Sequence, residues 1–494
     1  MFTWFKYITL SHIPTTGRLL STQLVPAVCF DFFRRHGTKD HFEIHCRKED
    51  FYMESIIRTY PLEAGKILRA QIVKADSFDS LCFARPSYDP ASFRQIVSLY
   101  QDHIIKKYGT FFGKIVLFTT DDQQRPLLLK DPEIYDPLAA LTKELREHVF
   151  YSQGRICFED GNTEKIFHAL QEEEQLFIAR GKRKKVSFVP VGKECGYLSK
   201  SFSDVPLAVN SSFFLMDQWD HVSVFDHAGI TLGLMIEKGK ILSPPQFDRE
   251  AFLLKNDSSI LIRKVSLRQI KVKIGDTIFE HGRNCHFYER PYSHKTPPGK
   301  TDLVICANKL VGIFPQGGNI VPSGGFIIQP DDNVRIDKDM IVSYSGFEDV
   351  RFGLQVGNSV MINGVPTDHF VSPFYRFYVP FARSYPPSLY PLNFKRDRAP
   401  RILFGCDKEK HPIFIWIEGA GKFGHKAGEE SEGASLAESI MVAKDAGMYN
   451  GIHLDGGGSA QLLLHGERSL RLSDRDPDSF AQIERSIPMA LIYR

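Results

Sequence analysis

The segment most informative about the fold begins with Pro412-Ile-Phe-Ile-Trp-Ile417, near the C-terminus. This run is apolar, aromatic and β-branched, which predicts a buried strand. Ser435-Leu-Ala-Glu438 is a capping box, and it predicts a helix that ends at Gly447. Ile452-His453-Leu454 then predicts a second strand. The order strand, helix, strand indicates a βαβ unit, which is parallel and right-handed in nearly all proteins.

Both predicted strands end in a carboxylate that is followed by glycine, as Glu418-Gly419 and as Asp455-Gly456. The C-terminal ends of parallel strands meet at one sheet edge, where open α/β sheets bind their ligands. On neighbouring or next-neighbouring strands the two carboxylates would lie roughly 5–10 Å apart, as the paired acids of glycosidases do. We therefore expect Glu418 and Asp455 to form a catalytic pair.

The loop Asp455-Gly-Gly-Gly-Ser459 has two interpretations. Gly456, Gly457 and Gly458 can adopt positive φ, so their N–H groups could converge into an anion-binding nest, with the Ser459 hydroxyl beside them. The same letters also suit a flexible turn between two strands. The residues alone leave both interpretations open. His453 alternates with apolar neighbours, and a hydrogen bond within the protein is the favoured role for its side chain.

The rest of the chain divides into two parts with different residue patterns. From about residue 186 onward, short β-type runs are separated by Gly, Pro and Asn, which predicts a β-rich domain. Earlier in the chain, predicted helices alternate with an apolar strand, which indicates an α/β unit of unknown role. The fold class expected is thus α+β: a mixed, β-rich catalytic domain with the βαβ unit, plus a separate N-terminal α/β domain. The expected divisions are an N-terminal domain at 1–170, a charged linker at 171–188 and a catalytic domain at 189–494.

The linker carries the basic run Arg180-Gly-Lys-Arg-Lys-Lys185. A solvated connection between domains is favoured over a targeting signal or a patch for anionic surfaces, since such short runs are common.

Composition excludes several classes of function. The chain has 494 residues, with 62 basic and 59 acidic side chains and a net charge of +3, which does not favour nucleic-acid binding. Its apolar runs are shorter than the ~20 residues of a membrane span. The N-terminus is a poor secretory signal because Lys6 interrupts its apolar run, so a cytoplasmic location is favoured over export. The sequence determines neither the oligomeric state nor any disulfide.

No metal or other cofactor is expected. The eight cysteines form no CxxC pair. His281 and Cys285 lie four residues apart beside His286 and His294, but no second tight pair completes a site, so ordinary packed or surface roles are favoured.

The segment Gly451-Ile-His-Leu-Asp-Gly-Gly-Gly-Ser-Ala460 resembles the "NLDGGGS" signature of the phosphodiester glycosidase family. Five more segments resemble family motifs in the family's order, and together the six cover about residues 190–494. These are 208–214 ("NGGFF"), 321–328 ("IPxxGYVL"), 355–364 (the glycine-rich run before "V.NG"), 400–405 ("PRTAxG") and 485–491 ("RxxxNAL").

The resemblance implies an enzyme that hydrolyses a glycosyl phosphodiester and releases free sugar, N-acetylglucosamine in one family member. Asp455 would be the nucleophile or general base, with Glu418 as partner acid. Asn210 would contact sugar hydroxyls or an acetamido group. Arg401 and Arg485 would bind phosphate, together with Gly456, Gly457, Gly458 and Ser459. For each arginine, an ordinary surface ion pair is the alternative.

The sequence departs from the family pattern at several positions, which leaves the substrate undetermined. Ser211 and Ser212 replace glycines, Ile402 replaces threonine, Met489 stands for a late asparagine, and Glu418 stands where Asp is more common. Two other functions stay open: an ordinary polysaccharide glycosidase, and a sugar-phosphate-binding module without catalysis.

Overall fold

The computed structural model describes residues 51–88, 195–215, 229–290, 292–367, 398–419, 426–475 and 479–494, positions 223, 225 and 226, and the backbone of short strands before residue 188. Strands account for 46% and helices for 8% of these residues. Within the described residues, the α-helices are α1 (Leu198–Ser201) and α2 (Leu436–Asp445). Short 3-10 turns occupy Glu63–Gly65, Leu267–Gln269 and Gly457–Ser459.

The strands are numbered along the chain. The first eleven are β1 (Cys29–Phe33), β2 (Phe42–Lys48), β3 (Phe51–Pro61), β4 (Ile67–Ala75), β5 (Leu81–Ala84), β6 (Phe118–Thr120), β7 (Pro126–Leu128), β8 (Val149–Ser152), β9 (Arg155–Phe158), β10 (Gln175–Ala179) and β11 (Lys182–Ser187). The next ten are β12 (Leu207–Asn210), β13 (Met235–Glu237), β14 (Lys240–Ser243), β15 (Arg249–Lys255), β16 (Ile260–Val265), β17 (Lys271–Ile274), β18 (Thr277–Glu280), β19 (Cys285–Glu289), β20 (Asp302–Cys306) and β21 (Lys309–Phe314). The last ten are β22 (Gly325–Pro330), β23 (Val342–Ser345), β24 (Val350–Leu354), β25 (Ser359–Ile362), β26 (Val365–Pro366), β27 (Arg401–Cys406), β28 (Pro412–Ile417), β29 (Asn450–His453), β30 (Leu462–Leu464) and β31 (Ala490–Tyr493).

A nine-stranded sheet, the central sheet, organises the molecule in the order β1-β2-β3-β4-β28-β27-β29-β25-β26. Its strand β28 is buried on both faces. Phe414 and Trp416 face the main core, whereas Ile413, Ile415 and Ile417 face the side covered by α2. This two-sided burial explains why the strand is a continuous apolar run rather than an alternating one.

A second sheet, the cover sheet, has the order β30-β12-β31-β5 and packs on the central sheet through the main core. Leu207, Val209 and Leu491 contribute its side of that core. Three further sheets, with the orders β14-β13-β24-β15-β16, β18-β17-β23 and β19-β22-β20-β21, form the region between β13 and β24. Within the cover sheet, β5 from the N-terminal part of the chain pairs with β31 at its C-terminal end.

Helix α2 starts where the capping box predicted it. The Ser435 side chain accepts a hydrogen bond from the Glu438 N–H group, and the Glu438 carboxylate accepts one from the Ser435 N–H group. Gly447, with φ of 76°, follows the helix end, as expected for a left-handed C-terminal residue.

The predicted fold class is wrong in two respects. First, the βαβ unit expected over residues 412–454 does not form a parallel pair, because β27 lies between β28 and β29 and pairs antiparallel with both. Among the described residues, every ladder of the central sheet is antiparallel. The protein is mostly antiparallel β-sheet rather than α+β.

Second, the expected separate N-terminal α/β domain is wrong. Strand β4 pairs with β28 from Ala70 opposite Ile417 to Lys74 opposite Ile413, and β5 pairs with β31. The N-terminal strands therefore complete the same sheets that hold the C-terminal motifs. The predicted N-terminal helices, and the boundaries predicted at 170 and 188, lie outside the described residues.

Candidate functional site

The two carboxylate–glycine ends meet at Pro400. A Cβ atom on Gly419 would stand 2.5 Å from the Pro400 ring, and one on Gly456 would stand 2.8 Å from the Pro400 carbonyl oxygen. The Gly457 N–H group donates to that same oxygen at 3.0 Å. Both glycines are thus required by close approach to one residue, which draws the ends of β28 and β29 together around the start of β27.

Asp455 is the central ionisable group of this region. It follows β29 directly, and its N–H group donates to the Ser211 carbonyl oxygen at 2.9 Å. Part of the residue remains accessible to solvent, but its surroundings are dry enough that burial raises the pKa of its carboxyl to about 7. A hydrogen bond from Ser459, the charge of Arg485 and the Gly456 N–H group oppose this rise. Such a carboxyl can exchange a proton near neutral pH.

The glycine loop forms a 3-10 turn at Gly457–Ser459, and Gly457 has φ of 61°. The Ser459 N–H group donates to the Gly456 carbonyl oxygen at 3.2 Å, and the Ala460 N–H group donates to that of Gly457 at 3.1 Å. The loop is therefore a structured turn, and the N–H groups of Gly457, Ser459 and Ala460 already donate to protein acceptors. The anion nest stays a prediction.

Arg485 is fixed against this turn. Its Nε atom donates to Asp474 Oδ2 at 2.8 Å and its Nη2 atom to Asp474 Oδ1 at 3.1 Å. A Cβ atom on Gly458 would collide with both partners of this ion pair. The guanidinium is thus held beside the Asp455 loop by a two-point contact, and Gly458 provides the space for it.

Asn210 holds the base of the loop in place. Its amide Nδ2 atom donates to the Asp455 carbonyl oxygen at 2.7 Å, and its Oδ1 atom accepts from the Gln461 N–H group at 3.0 Å. The residue is 1% exposed. Both ends of the amide thereby connect β12 to the segments before and after the glycine turn.

Glu418 lies in a separate electrostatic environment. Its carboxylate forms an ion pair with Arg69 of β4, with 3.3 Å between Nη1 and Oε2, and the residue is 2% exposed. Burial raises the pKa of the Glu418 carboxyl, while the charges of Arg69 and Arg471 oppose the rise. Asp455 is paired with Ser459 and Arg485 instead. The structure therefore gives each predicted catalytic acid its own set of partners.

Arg401 is buried at the start of β27, where its Nε atom donates to the Ala434 carbonyl oxygen at 2.9 Å. Burial, reinforced by the charge of Arg401, lowers the pKa of the His453 imidazole to about 3. Its Nε2 atom is buried without a hydrogen-bond partner among the residues that the structure describes. His453 is therefore neutral at physiological pH, and the internal hydrogen bond expected from the sequence is not formed by Nε2.

Ser211 and Met489, two residues that differ from the family pattern, contact each other. The Ser211 N–H group and the Ser211 hydroxyl both donate to the Met489 carbonyl oxygen, each at 3.2 Å. Ser212 is buried beside them, with its hydroxyl oxygen 3.5 Å from that of Ser211. These serines are built into the join between β12 and β31.

The sequence prediction missed Arg69, Arg471 and Asp474. Asp474 could have been sought as an acidic partner for Arg485, because a semi-buried arginine requires one. Arg69 carries no local signal, since only the pairing of β4 with β28 brings it to Glu418.

Among the described residues, no group of three or more His, Cys, Asp or Glu side chains is arranged to hold a metal ion. His281 accepts a hydrogen bond from the Phe287 N–H group at 2.9 Å, and Cys285 is buried with a free thiol. Within the same part of the chain, no helix has both the length and the apolar character of a membrane span.

Comparison with known proteins identifies the C-terminal region. Residues 303–494 match the family model for phosphodiester glycosidase. The match confirms, for that region, the resemblance seen in the sequence motifs, and the matched family is one of glycosidase-type hydrolases. No curated protein matches the chain.

Three similar solved structures are distant. A hypothetical protein from Synechocystis has 13% identity and a TM-score of 0.40, over 94% of this chain and 71% of that one. The zebrafish N-acetylglucosamine-1-phosphodiester alpha-N-acetylglucosaminidase catalytic domain, auto-inhibited by its pro-peptide, has 12% identity and a TM-score of 0.38, over 93% and 89%. A putative exported protein from Burkholderia pseudomallei has 11% identity and a TM-score of 0.36, over 90% and 97%.

Proposed function

We propose that this protein hydrolyses a glycosyl phosphodiester and releases a free sugar and a phosphomonoester. The observation that carries the proposal is Asp455, a partly accessible carboxyl with a pKa of about 7. It lies at the end of β29 beside Arg485, within the region that matches the family. N-acetylglucosamine is the proposed sugar, from the family resemblance.

The reaction breaks the bond between the anomeric carbon and the phosphate oxygen. Water supplies a hydroxyl to the sugar and a proton to the products, and the phosphate departs as a monoester. Because this leaving group is already stable as an anion, it needs little protonation. A single carboxylate near the anomeric carbon then supplies most of the catalysis. Asp455 takes that role as nucleophile or general base, and it acts in its ionised form.

Glu418 is the proposed partner acid. Burial raises the pKa of its carboxyl, which is the direction of shift that an acid catalyst requires. The carboxyl is 2% exposed and ion-paired to Arg69, so donation to substrate requires it to leave or share that contact. This requirement makes Glu418 the member of the pair whose replacement is most informative after that of Asp455.

Phosphate binding falls to Arg401, Arg485 and the loop from Gly456 to Ser459. Arg485 is the better placed of the two arginines, because Asp474 holds it beside Gly458 with 16% of its side chain exposed. A guanidinium already fixed by a carboxylate loses little freedom when it binds an anion. Asn210 uses one amide hydrogen on the Asp455 carbonyl, so a sugar contact would use its other hydrogen.

A substrate panel tests the proposal. The purified protein is incubated with sugar-1-phosphate diesters, including N-acetylglucosamine-1-phosphate diesters and UDP-sugars, and with aryl glycosides of the same sugars. Release of free sugar from the diesters, abolished in Asp455→Asn and reduced in Arg401→Ala, supports the proposal.

Two other outcomes identify the alternatives. Preferential cleavage of the aryl glycosides, with little effect of Arg401→Ala, indicates an ordinary glycosidase. Binding of the diesters in calorimetry with no turnover indicates a sugar-phosphate-binding module. Either outcome contradicts the proposal.

A further inference from the structure

We propose that Arg69, on strand β4, is a positioning residue for Glu418, and that it holds this carboxylate in place from outside the region that matches the family. Its predicted effect on turnover rests on the proposed function. Its effect on the ionisation of Glu418 does not, and the two can be measured separately.

Strand pairing delivers Arg69 to the carboxylate. Strands β4 and β28 run antiparallel with Ala70 opposite Ile417, and the ladder ends with the Glu418 N–H group donating to the Arg69 carbonyl oxygen at 2.9 Å. The two side chains then meet, with 3.3 Å between Arg69 Nη1 and Glu418 Oε2. The pairing of two backbones therefore fixes which cation faces the buried acid.

Further hydrogen bonds make this arrangement rigid. The Ser431 hydroxyl donates to the Glu418 carbonyl oxygen at 2.5 Å and accepts from the Arg69 N–H group at 3.0 Å. Arg69 Nη2 donates to the Glu429 carbonyl oxygen at 3.3 Å. Arg69 is thus held at both its backbone and its side chain, so its guanidinium is oriented before any substrate binds.

Arg471 acts on the same carboxylate. Its backbone N–H group hydrogen-bonds to the Glu418 carboxyl, and its charge acts on it as well. Its guanidinium forms an ion pair with Glu430, with 2.7 Å between Nη1 and Oε1. The neighbouring Ser473 hydroxyl donates to the Gly457 carbonyl oxygen at 3.4 Å. Residues 471–473 therefore link the surroundings of Glu418 to the glycine turn that follows Asp455.

The charge balance gives Arg69 a measurable role. A carboxyl that is 2% exposed resists ionisation, and a nearby cation offsets that resistance. Burial raises the pKa of Glu418 and Arg69 is the first of the groups that lower it. Without Arg69 the pKa of Glu418 rises further, so the carboxyl stays protonated over a wider range of pH.

The test compares Arg69→Ala, Arg69→Lys and a control, Arg58→Ala. Arg58 lies on the adjacent strand β3 and forms an ion pair with Asp445 whose side chains are 30% and 43% exposed. In the pH profile of kcat/KM on a sugar-1-phosphate diester, the fall in activity at high pH is the limb that reports loss of the Glu418 proton. This limb should move to higher pH in Arg69→Ala. Arg69→Lys should restore most of the parent profile, because the charge is retained, and Arg58→Ala should leave it unmoved.

A fall in thermal stability of Arg69→Ala with an unmoved limb would show a merely structural role and overturn the proposal. The free energy of unfolding gives a second readout that needs no turnover. A carboxyl whose folded pKa is raised costs stability as pH increases above its unfolded value. Arg69→Ala should therefore lose more stability than the parent between pH 5 and 9, and this extra loss should vanish in a Glu418→Gln background. An equal loss in that background would also overturn the proposal.

Discussion

Replacing Asp455 by asparagine should abolish turnover and at the same time stabilise the protein at alkaline pH. Burial raises the pKa of this carboxyl from 3.8 to about 7. Since a tenfold change in an ionisation constant corresponds to about 1.4 kcal/mol, ionising Asp455 in the folded state costs on the order of 4 kcal/mol. Asparagine has nearly the same shape and can still accept a hydrogen bond from Ser459, but it carries no charge to desolvate.

The sign follows from linkage. An acid with a raised folded pKa has no effect on stability below its unfolded pKa, and its stability cost grows until pH passes the folded value. The advantage of Asp455→Asn over the parent should therefore be near zero at pH 4 and approach its full size, up to about 4 kcal/mol, above pH 8. Urea unfolding followed by fluorescence at several pH values measures this difference directly.

A control with the opposite sign is available in the capping box. The ion pair with Arg398 and the hydrogen bonds with Ser435 hold the pKa of Glu438 below its usual value, against the effect of burial. Glu438→Gln should therefore be destabilising at pH 7, and its deficit should shrink as pH falls below 4.5. Equal destabilisation by Asp455→Asn at pH 5 and pH 8 would refute the raised pKa of Asp455, and parental turnover in this variant would refute its catalytic role.

Three other perturbations follow from the same geometry. The kcat/KM for a sugar-1-phosphate diester should rise with pH through about 7 as Asp455 ionises; a flat profile from pH 5 to 8 would contradict an ionised Asp455 as nucleophile or base. Gly458→Ala should lower turnover at least tenfold, because its Cβ atom collides with the Arg485–Asp474 ion pair. Its matched control Gly457→Ala has open space around the Cβ atom and strain only from φ of 61°, so it should cost about 1 kcal/mol in unfolding experiments; equal effects would count against the role given to Arg485. Deletion of residues 51–84 should leave the remaining chain unable to fold, since β28 and β31 lose their partners β4 and β5; a soluble, cooperatively unfolding fragment would refute this.

Locally encoded features were predictable from the sequence. The capping box at Ser435, the apolar strand at 412–417 and the glycine turn after Asp455 depend on residues a few positions apart. Their chemistry acts within one turn or one strand, so it is visible in the letters. The family motifs within residues 303–494 were likewise visible, and the family match confirms them.

The antiparallel neighbour of β28 also had a local signal in the sequence, but the prediction missed it. Arg401–Cys406 and Pro412–Ile417 form a hairpin joined by residues 407–411, in which Lys410 has φ of 72°. Two apolar runs separated by so few residues are a hairpin signal. Recognising it would have placed an antiparallel strand beside β28 and removed the parallel pair.

Long-range pairing explains the remaining misses. Arg69 reaches Glu418 only because β4 pairs with a strand more than 300 residues later in the chain. Neither strand contains a local feature that selects the other, since both are ordinary apolar runs. The ion pair between Arg69 and Glu418 therefore became visible only in the folded chain.

The proposed hydrolysis is tested most directly by measuring cleavage of the bond between the anomeric carbon and the phosphate oxygen. A synthetic N-acetylglucosamine-1-phosphate diester is incubated with the purified protein, and phosphorus NMR records the conversion of phosphodiester to phosphomonoester while free sugar is assayed in parallel. Equal amounts of phosphomonoester and free sugar from the parent protein, and neither from Asp455→Asn, are the predicted result. A phosphodiester signal that persists with the folded parent protein, for this diester and for others with different sugars, would contradict the account.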